Sequence, residues 1–550
     1  MHEDAKLSTI SVAKGWMRAM EMTATITKNP ARTLPAVIEE LAQVQPDAPA
    51  LLSDGGCLSY QMLCRRSHEY ARWARREGLV AGDTVCVMMH NCPEYVAIWL
   101  GLTRVGVVVS LINVNLTGAS LAHCIKIVRP RLILIQPELV DAFKSARPFL
   151  DTNLEVWSKG DCGYEARNIN EELASSSKNF VAADECPHAT INDQALYIYT
   201  SGTSGLPKAA KISHSRLMQW SHWFAGMMDI RSTDRMYNCL PMYHSIGGVV
   251  AVAPLLIKGG SVVVREKFSA TRFWDDIVQL DCTVFQYIGE LCRYLVNSKP
   301  HPNEAEHRIR LCCGNGLRPD VWDRFKARFN IHQILEFYAA TEGNVSLFNL
   351  EGKPGSIGRT PRFLAHRFPT KIVKIDIETG EVLRGADGFC ILCRSNEIGE
   401  AIGKIDNKSS NVGNRFEGYN SDAESERKML RDAIEQGDVW FRTGDLMRQD
   451  EHGYFYFVDR IGDTFRWKGE NVATTELSET ITAMPGVREA VAYGVPIPGH
   501  EGRAGMAALV VDPDFDLATF RRCLAERLPR YARPLFIRIC QQIETTTTFK

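Results

Sequence analysis

Residues 197–210 combine the side chains from which a phosphate-binding loop is built. An apolar run leads into hydroxyl residues and glycines that one lysine closes: Thr200, Ser201, Gly202, Thr203, Ser204, Gly205 and Lys208. The glycines let the backbone turn its N–H groups towards an anion, while the hydroxyls and the lysine supply further donors and positive charge. The stretch therefore predicts a nucleotide polyphosphate as ligand.

The spacing of this loop differs from that of a Walker A motif, because no Gly-Lys-Ser/Thr follows a glycine at the required distance. The pattern disfavours a P-loop NTPase. A stretch rich in serine, threonine and glycine also occurs as an ordinary surface loop. The nucleotide assignment therefore depends on partner motifs elsewhere in the chain.

The composition indicates a globular protein of more than one domain. Its 550 residues exceed what one core usually holds, and 45% of them are hydrophobic. Lys+Arg 64 against Asp+Glu 65 leaves a formal net charge of −1, which gives no electrostatic reason to propose nucleic acid as a partner. The 16 cysteines lack framework spacing, as expected of reduced thiols. Cys390 and Cys393 have the spacing of half a zinc site without a second pair, which favours a buried strand.

Three features of the sequence indicate where the protein is located. The first residues lack the basic start and apolar core of a secretory signal, so we expect a cytoplasmic protein. The longest apolar stretch, 95–116, contains Arg104 and divides into a helix and a strand, which disfavours a membrane span. Val12, Trp16 and Met20 fall at helical spacing, which fits a helix docked on the core or one lying on a membrane surface. Peripheral association with the inner face of a membrane is compatible with this pattern.

The periodicity of the first two thirds of the chain is typical of an α/β protein. Between residues 51 and 146, helix-like stretches alternate with short apolar runs at 84–89, 107–112 and 132–135. A polar connection over 158–193 leads to a second α/β set. Its predicted strands lie near 261–264, 284–287 and 309–313, and its helices near 273–280 and 319–329.

In the last third of the chain, the pattern of helices and strands differs from the α/β pattern before it. Short alternating strands around 376–394 predict a β-rich subdomain. Residues 406–437 are polar, with a helix starting at the capping box of Ser421. Beyond residue 460, a compact set of elements predicts a small C-terminal α+β domain. Its strands are expected at 489–496, 506–511 and 536–540, and its helices at 474–483 and 517–528.

Five further stretches occur in the order expected of the acyl-adenylate-forming superfamily, which includes acyl-CoA synthetases, adenylation domains and luciferases. Together with the loop they cover nearly the whole chain, and the loop itself resembles that superfamily's signature. The stretches are Leu240-Pro-Met-Tyr-His-Ser245, Cys313-Gly-Asn-Gly316, Tyr338-Ala-Ala-Thr-Glu-Gly343, Thr443-Gly-Asp445 and the run from Asp459-Arg460 through Trp467-Lys-Gly-Glu-Asn471.

The resemblance implies a role for each stretch. His244 would lie beside the carboxylate substrate. Gly314, Asn315 and Gly316 would form the turn against adenine, and Tyr338 and Thr341 would contact the nucleotide. Thr203, Glu342, His244 and Lys550 are the implied catalytic residues. Taken alone, His244 would be an ordinary core or surface histidine and Asp445 a turn residue.

The resemblance also implies a metal site, a ribose site and a hinge. Glu342 and Thr200 would bind Mg²⁺, which favours hard oxygen ligands and bridges phosphate oxygens. Asp445 can accept hydrogen bonds from both ribose hydroxyls, and Arg460 carries a permanent forked charge. Gly462 occupies the implied pivot, although it could equally be a turn glycine. The loop implied to come in for thioester formation contains Trp467, Lys468, Gly469 and Glu470.

Asn113-Val-Asn-Leu116, together with the stretches that start at Tyr338 and Asp459, resembles the fatty acid transport protein or very-long-chain acyl-CoA synthetase group. This resemblance implies a fatty acid substrate, with ATP, Mg²⁺ and coenzyme A. It also implies an N-terminal extension (1–50), an adenylation domain (51–459) and a mobile C-terminal lid (460–550).

The end of the chain departs from the family's pattern. Thr545-Thr-Thr-Thr-Phe-Lys550 lacks a glycine among its threonines, and the family's basic tail does not follow. Lys550 matches the lysine that assists adenylation, yet a terminal lysine is normally frayed and solvated. We therefore expect a truncated C-terminus.

The implied activity is an ATP-dependent acyl-CoA synthetase that forms acyl-AMP and then a thioester. Two alternatives stay open. One is an adenylate-forming ligase for another carboxylate, such as an aryl, bile-acid-like or amino acid loaded onto a carrier. The other is a membrane-associated fatty acid transporter or lipid-binding protein, and uptake coupled to CoA esterification is compatible with the enzyme.

Overall fold

The computed structural model describes residues 12–150, 154–174, 189–200, 206–407, 412–468, 470–498 and 502–543. The helices are α1 (Val12–Thr23), α2 (Leu34–Val44), α3 (Tyr60–Arg76), α4 (Pro93–Arg104), α5 (Gly118–Val128), α6 (Val140–Ala146), α7 (Ile169–Ala174), α8 (His214–Met228), α9 (Ala253–Leu256), α10 (Phe273–Gln279), α11 (Gly289–Asn297), α12 (Pro319–Phe329), α13 (Asp422–Glu426), α14 (Thr474–Thr482) and α15 (Leu517–Arg527).

The strands follow in chain order. They are β1 (Pro49–Ser53), β2 (Gly56–Ser59), β3 (Thr84–Met88), β4 (Val108–Leu111), β5 (Leu132–Ile135), β6 (Glu155–Ser158), β7 (Arg167–Asn168), β8 (Gln194–Thr200), β9 (Lys208–Ser213), β10 (Arg235–Asn238), β11 (Ser261–Val264), β12 (Val284–Ile288), β13 (Leu311–Asn315), β14 (Ile334–Ala339), β15 (Ser346–Asn349), β16 (Thr370–Val373), β17 (Gly399–Lys404), β18 (Met429–Arg431), β19 (Val439–Gln449), β20 (Phe455–Arg460), β21 (Phe465–Trp467), β22 (Glu470–Val472), β23 (Val487–Pro496), β24 (Arg503–Val511) and β25 (Phe536–Ile539).

Two mainly parallel sheets form the centre of the large domain. One has the strand order β7-β6-β5-β3-β4-β8-β9 and the other β15-β14-β13-β12-β10-β11-β1-β2. Each carries an antiparallel strand at an edge, because β9 follows β8 and β15 follows β14 through short connections. Strands such as β3 and β4 are buried along their whole length, as expected of parallel strands covered on both faces. The predicted α/β class is confirmed.

An antiparallel sheet follows, with the order β16-β17-β19-β18 and β20 paired to β19. This is the predicted β-rich subdomain, but its strands flank the 376–394 region instead of lying in it. Within that region the pairing consists of isolated bridges, including Ile375↔Val382 and Arg384↔Cys390. Cys390 is buried there without belonging to a regular strand. Short turns break the alternation before a continuous strand can form.

The C-terminal elements share a hydrophobic core of their own. Strands β23, β24 and β25 form a sheet on which α14 and α15 pack, with Phe465, Ile481 and Phe520 among the buried side chains. The five C-terminal elements predicted from the sequence are all present, with small shifts at their ends. The domain boundaries given above stay a prediction, which this separate core supports.

Residues 12–44 pack as part of the large domain's core. Trp16 on α1 lies 5.7 Å from Trp223 on α8, measured between ring centroids, and 5.6 Å from Phe368. Gly226 permits this approach, since an added Cβ would lie 2.5 Å from the Ala19 Cα. The large side chains of α8, including Met218, Phe224 and Met227, belong to the same buried cluster.

The predicted surface connection over 158–193 is more structured than expected. It contains β7 and α7, and Ile169 and Leu173 of α7 are buried. The apolar stretch 95–116 divides into α4 and β4, as predicted. Among the helices of the described residues, none combines the length and hydropathy that a bilayer-spanning segment requires.

Candidate functional site

The two ends of the predicted phosphate loop are held by an antiparallel pair. Thr200 ends β8 and lies opposite Lys208, the first residue of β9. Residues 201–205 fall outside the described residues. The Lys208 ammonium forms an ion pair with Glu424, and it lies 5.6 Å from the centre of the Tyr419 ring. The hydrogen bond from Lys208 lowers the pKa of Glu424, which keeps this carboxylate ionised at neutral pH.

Glu342 and Thr200 bring oxygen atoms to the same place. The Tyr419 hydroxyl donates to Glu342 Oε1 at 2.6 Å, and Glu342 is 9% exposed. The Thr200 hydroxyl is buried, and within the described ranges it makes no hydrogen bond of ordinary geometry. It lies close enough to the Tyr419 hydroxyl to lower the pKa of Tyr419. Burial outweighs this effect and raises the pKa of Tyr419. A carboxylate and a hydroxyl that both lie beside the Tyr419 hydroxyl supply hard oxygen atoms of the kind that Mg²⁺ binds.

Asp445 and Tyr338 join two of the predicted motifs. Tyr338, on β14, donates its hydroxyl to Asp445 Oδ2 at 2.5 Å. Asp445 lies on β19 directly opposite Arg460 on β20, with 3.5 Å between Asp445 Oδ1 and Arg460 Nε. Burial and the Asp445 carboxylate raise the pKa of Tyr338 well above its usual range, which keeps its proton available for this bond. The arrangement presents a carboxylate at the place predicted for ribose.

The predicted adenine turn is supported by a buried carboxyl group. Gly314 and Asn315 end β13, and Gly316 follows with φ +74°, a conformation that favours glycine. Glu336 on β14 accepts hydrogen bonds from the Leu317 N–H at 3.1 Å and from the Tyr287 hydroxyl. Since Glu336 lies behind the turn, it holds the backbone in place.

His244 lies at the end of the site that is predicted to hold the carboxylate. It precedes a π-helical turn, Ile246–Val250, and its carbonyl accepts from Gly248 N at 2.7 Å. The His244 and Tyr243 rings are in contact, with centroids 4.5 Å apart. The next residue, Ser245, shares a hydrogen bond of 3.1 Å with the Thr341 hydroxyl. The motif around His244 thus meets the motif that contains Glu342.

The hinge stretch contains a buried carboxylate, Asp459, whose partners could not be predicted from the sequence. Asp459 is 1% exposed and accepts from Thr464 Oγ1 at 3.1 Å, from Thr474 N at 2.6 Å and from Thr475 Oγ1 at 3.0 Å. Gly462 has φ +104°, which favours glycine. One side chain therefore holds the segment before the predicted pivot to the start of α14 beyond it.

Three of the predicted CoA-side residues, Trp467, Lys468 and Glu470, belong to the segment of β21 and β22. Trp467 is buried in the C-terminal core and bridges Gly502, so it supports the hairpin in this arrangement. Lys468 has φ +54° and places its ammonium 5.8 Å from the Trp467 ring centre. Glu470 is exposed. Gly469 and Lys550 fall outside the described residues.

The chain matches two family models. Residues 38–396 match the AMP-binding enzyme model, and residues 476–550 match the model of the AMP-binding enzyme C-terminal domain. The chain belongs to the AMP-binding enzymes. The family predicted from the ordered motifs is therefore confirmed.

Relatives of this AMP-binding enzyme include long-chain fatty acid transport protein 1 of Mus musculus, 41% identical over 94% of this chain and 81% of the relative. Long-chain fatty acid transport protein 3 of Homo sapiens is 40% identical over 86% of this chain and 69% of the relative. These matches confirm the predicted subgroup.

Solved structures share the fold. The anthranilate CoA ligase AuaEII in complex with anthranoyl-AMP superposes with a TM-score of 0.80 at 19% identity, covering 96% of each chain. A Mycobacterium tuberculosis fatty acyl CoA synthetase gives a TM-score of 0.64 at 22% identity, covering 94% of this chain and 96% of that one.

The site of this AMP-binding enzyme includes side chains that sequence reasoning missed. Tyr419, Glu424 and Lys428 come from the stretch 406–437, for which the sequence predicted a polar segment and a helix start but no part of the site. The one feature of the sequence that could have indicated this part of the site is the Gly418-Tyr419 pair, which lies in a polar stretch before the Ser421 cap. A buried aromatic residue in such a stretch indicates that the segment packs against another element.

Glu336 makes the stability of this AMP-binding enzyme depend on pH. Burial raises its pKa from 4.5 to about 8, with no charged neighbour among the causes. A carboxyl group whose pKa is higher in the folded state than in the unfolded state stays protonated at pH values at which the unfolded chain has already released this proton. Its contribution to stability is complete below pH 4.5 and is lost as the pH rises through about 8.

We expect Glu336→Gln to reduce the fall in stability across this window, by at most about 1.4 kcal/mol per pH unit. Urea unfolding at several pH values between 4.5 and 8 measures the slope. Glu381→Gln, at an exposed carboxyl outside the site, is the control. An unchanged slope in Glu336→Gln would contradict the assignment.

Proposed function

We propose that this AMP-binding enzyme is an ATP-dependent long- or very-long-chain fatty acid–CoA ligase that works through an acyl-AMP intermediate. The observation that carries the proposal is the Tyr338–Asp445 hydrogen bond, which joins two motifs expected at the nucleotide. The Ser245–Thr341 bond adds the expected carboxylate end to the same site. Identity of 41% to a protein named for long-chain fatty acids supports that substrate class.

In the first half-reaction, a carboxylate oxygen of the fatty acid attacks the α-phosphorus of ATP, and the bond to the bridging oxygen breaks as pyrophosphate leaves. No protein nucleophile is required, so the chain contributes positioning and charge. We assign ribose to Asp445 and adenine to the turn at Gly316. Lys208 and the loop 201–205 hold the leaving pyrophosphate, with Glu424 setting the position of the Lys208 ammonium.

Glu342 and Thr200 are the residues that would hold Mg²⁺. Their carboxylate and hydroxyl oxygens suit a hard cation, and Tyr419 fixes the orientation of the Glu342 carboxylate through its hydrogen bond. Bound Mg²⁺ would neutralise charge on phosphate oxygens. His244 is assigned to the acyl end, beside the reacting carboxylate.

In the second half-reaction, the CoA sulfur attacks the acyl carbon, the bond to the AMP oxygen breaks, and the thiol proton passes to solvent. We assign this step to a second orientation of the C-terminal domain, reached by rotation about Gly462. Rotation would exchange Lys550, which assists the first step, for the hairpin of β21 and β22.

We further propose a cytoplasmic enzyme that associates peripherally with the inner face of a membrane. Met17 on α1 exposes 44% of its surface, and Lys14 on the same helix is exposed. An apolar and basic surface of this kind suits an anionic lipid layer. Flotation of the purified protein with anionic vesicles, and with neutral vesicles as the control, tests the location.

The experiment that tests the function is fatty-acid-dependent exchange between ATP and pyrophosphate, measured for acids from medium to very long chain, with thioester formation followed after CoA is added. Exchange together with acyl-CoA supports the ligase and ranks its substrates. Exchange with aryl or bile acids alone would favour another carboxylate. Fatty acid binding without exchange would favour a carrier role.

Gly462→Pro is expected to impair thioester formation more than exchange, because proline cannot adopt the φ of +104° found there and removes freedom at the pivot. The ratio of the two rates, measured on the same preparation, is the readout. Gly453→Pro, at φ +85° in the hairpin between β19 and β20, is the matched control. Equal losses in both steps for Gly462→Pro would count against rotation.

A further inference from the structure

Lys428 is a half-buried lysine whose charge interacts with both Asp445 and Lys208 of the proposed nucleotide site. It precedes β18, and its carbonyl accepts from Arg442 N at 2.8 Å, which fixes its backbone against β19. Its ammonium donates to the Thr443 carbonyl at 3.1 Å and lies 5.6 Å from the centre of the Phe441 ring. The side chain therefore lies along the strand that carries Asp445.

The charges around Lys428 belong to the site. The carboxylates of Glu342, Glu400 and Asp445 act on its ammonium, and so does the charge of Lys208. Burial lowers the pKa of Lys428, an effect that the carboxylates oppose. The Lys428 ammonium therefore interacts electrostatically with the predicted metal ligand Glu342, the predicted ribose ligand Asp445 and the phosphate-loop residue Lys208.

Two of the three neighbouring carboxylates already have an arginine partner. Arg442 pairs with Glu400 at 2.6 Å, and Arg460 lies 3.5 Å from Asp445. Within the described ranges, Lys428 forms no ion pair, and the hydrogen bond to the Thr443 carbonyl leaves two of its N–H donors available. A half-buried ammonium with free N–H donors is suited to bind an anionic ligand.

Lys208 is placed differently, since its ammonium is already paired with Glu424. A nucleotide that extends from Asp445 to Lys208 has its α-phosphate between those two residues. We propose that Lys428 is a further binding residue, which donates a charge-assisted hydrogen bond to the α-phosphate of ATP and of acyl-AMP. This inference rests on the proposed function and adds to it a cation at the reacting phosphorus.

A lysine that binds the α-phosphate should contribute to the binding of AMP, which has this phosphate, and not to the binding of the nucleoside adenosine, which lacks it. We expect Lys428→Met to weaken AMP binding by roughly ten- to a hundredfold, the loss typical of one hydrogen bond to a charged group. Adenosine binding should stay unchanged. Exchange should fall in kcat by roughly a hundredfold or more, because the bond strengthens as charge develops on the phosphate.

Calorimetric titration of the full chain with adenosine and with AMP is the decisive measurement, with thermal unfolding of each variant alongside. Lys428→Arg retains the charge and should recover part of the AMP affinity. Lys353→Met is the matched control, because Lys353 pairs with Asp450 at 2.8 Å outside the site.

Equal weakening of adenosine and AMP in Lys428→Met would overturn the inference and assign Lys428 to support of Asp445. Unchanged AMP binding would overturn it as well. Failure of the proposed function is a separate result, in which the unmodified chain shows no exchange with any carboxylic acid although it binds AMP.

Discussion

Replacing Glu342 with glutamine is expected to reduce ATP–pyrophosphate exchange by roughly a thousandfold, because loss of a metal-binding carboxylate removes several kcal/mol of charge stabilisation. Glutamine retains an oxygen that can accept the hydrogen bond from Tyr419, which lies at 2.6 Å in the unmodified protein. The substitution therefore changes charge with little change in shape. Steady-state exchange measured over a range of Mg²⁺ concentrations gives the effect.

Tyr419→Phe is the companion variant for this prediction. It removes only the hydroxyl that orients Glu342, and a loss of roughly ten- to a hundredfold is expected for an outer partner of a metal ligand. The two variants should therefore differ by an order of magnitude or more. A Glu342→Gln protein that exchanges at nearly the unmodified rate in saturating Mg²⁺ would remove Glu342 from the metal site.

The second large effect is expected from Gly289→Ala, at the first residue of α11. A Cβ at this position would lie 1.7 Å from the Gly316 carbonyl oxygen and 2.3 Å from its carbonyl carbon. Both atoms belong to the backbone of the predicted adenine turn, so no side chain can rotate away. The helix or the turn must move, and overpacking of this kind costs about 1–3 kcal/mol or more.

Because the clash is with the backbone of the turn at Gly316, nucleotide affinity should fall together with stability. Titration with AMP and thermal unfolding measure the two quantities on the same protein. Gly55→Ala is the control, since the nearest atom to its added Cβ is the Ser53 hydroxyl oxygen at 3.6 Å. A Gly289→Ala protein with unchanged AMP affinity would separate this turn from the adenine site.

Local sequence patterns predicted the parallel sheets and much of the site. Short apolar runs rich in Val, Leu and Ile predicted β3, β4 and β5, because a fully buried strand needs apolar side chains on both faces. Asp445, Glu342 and Gly316 were identified since each falls in a short motif whose order along the chain matches a family. The burial of Trp16 against α8 could not be predicted in the same way, because amphipathic spacing does not specify which surface covers a helix.

Contacts between residues that are far apart in the chain were the part of the site that the sequence predicted least well. Tyr419 contacts Glu342 from 77 positions along the chain, and Lys428 approaches Asp445 only because β18 pairs with β19. Neither contact leaves a local pattern, because Tyr419 is brought in by its bridge to Ala210 of β9 and Lys428 by the pairing of β18 with β19. The partners of Asp459 are similar, since Thr464, Thr474 and Thr475 meet it only after the chain has turned at Gly462.

The Asp459 network has a consequence for the kinetics of the proposed rotation. Its hydrogen bonds join a strand before Gly462 to a helix after it, so rotation at this residue must break them together and exchange them for water. A joint loss of this kind produces a barrier between two populated states instead of a continuous range of angles. The C-terminal domain would then have a lifetime in each orientation, and substrates would change the fraction of time spent in each.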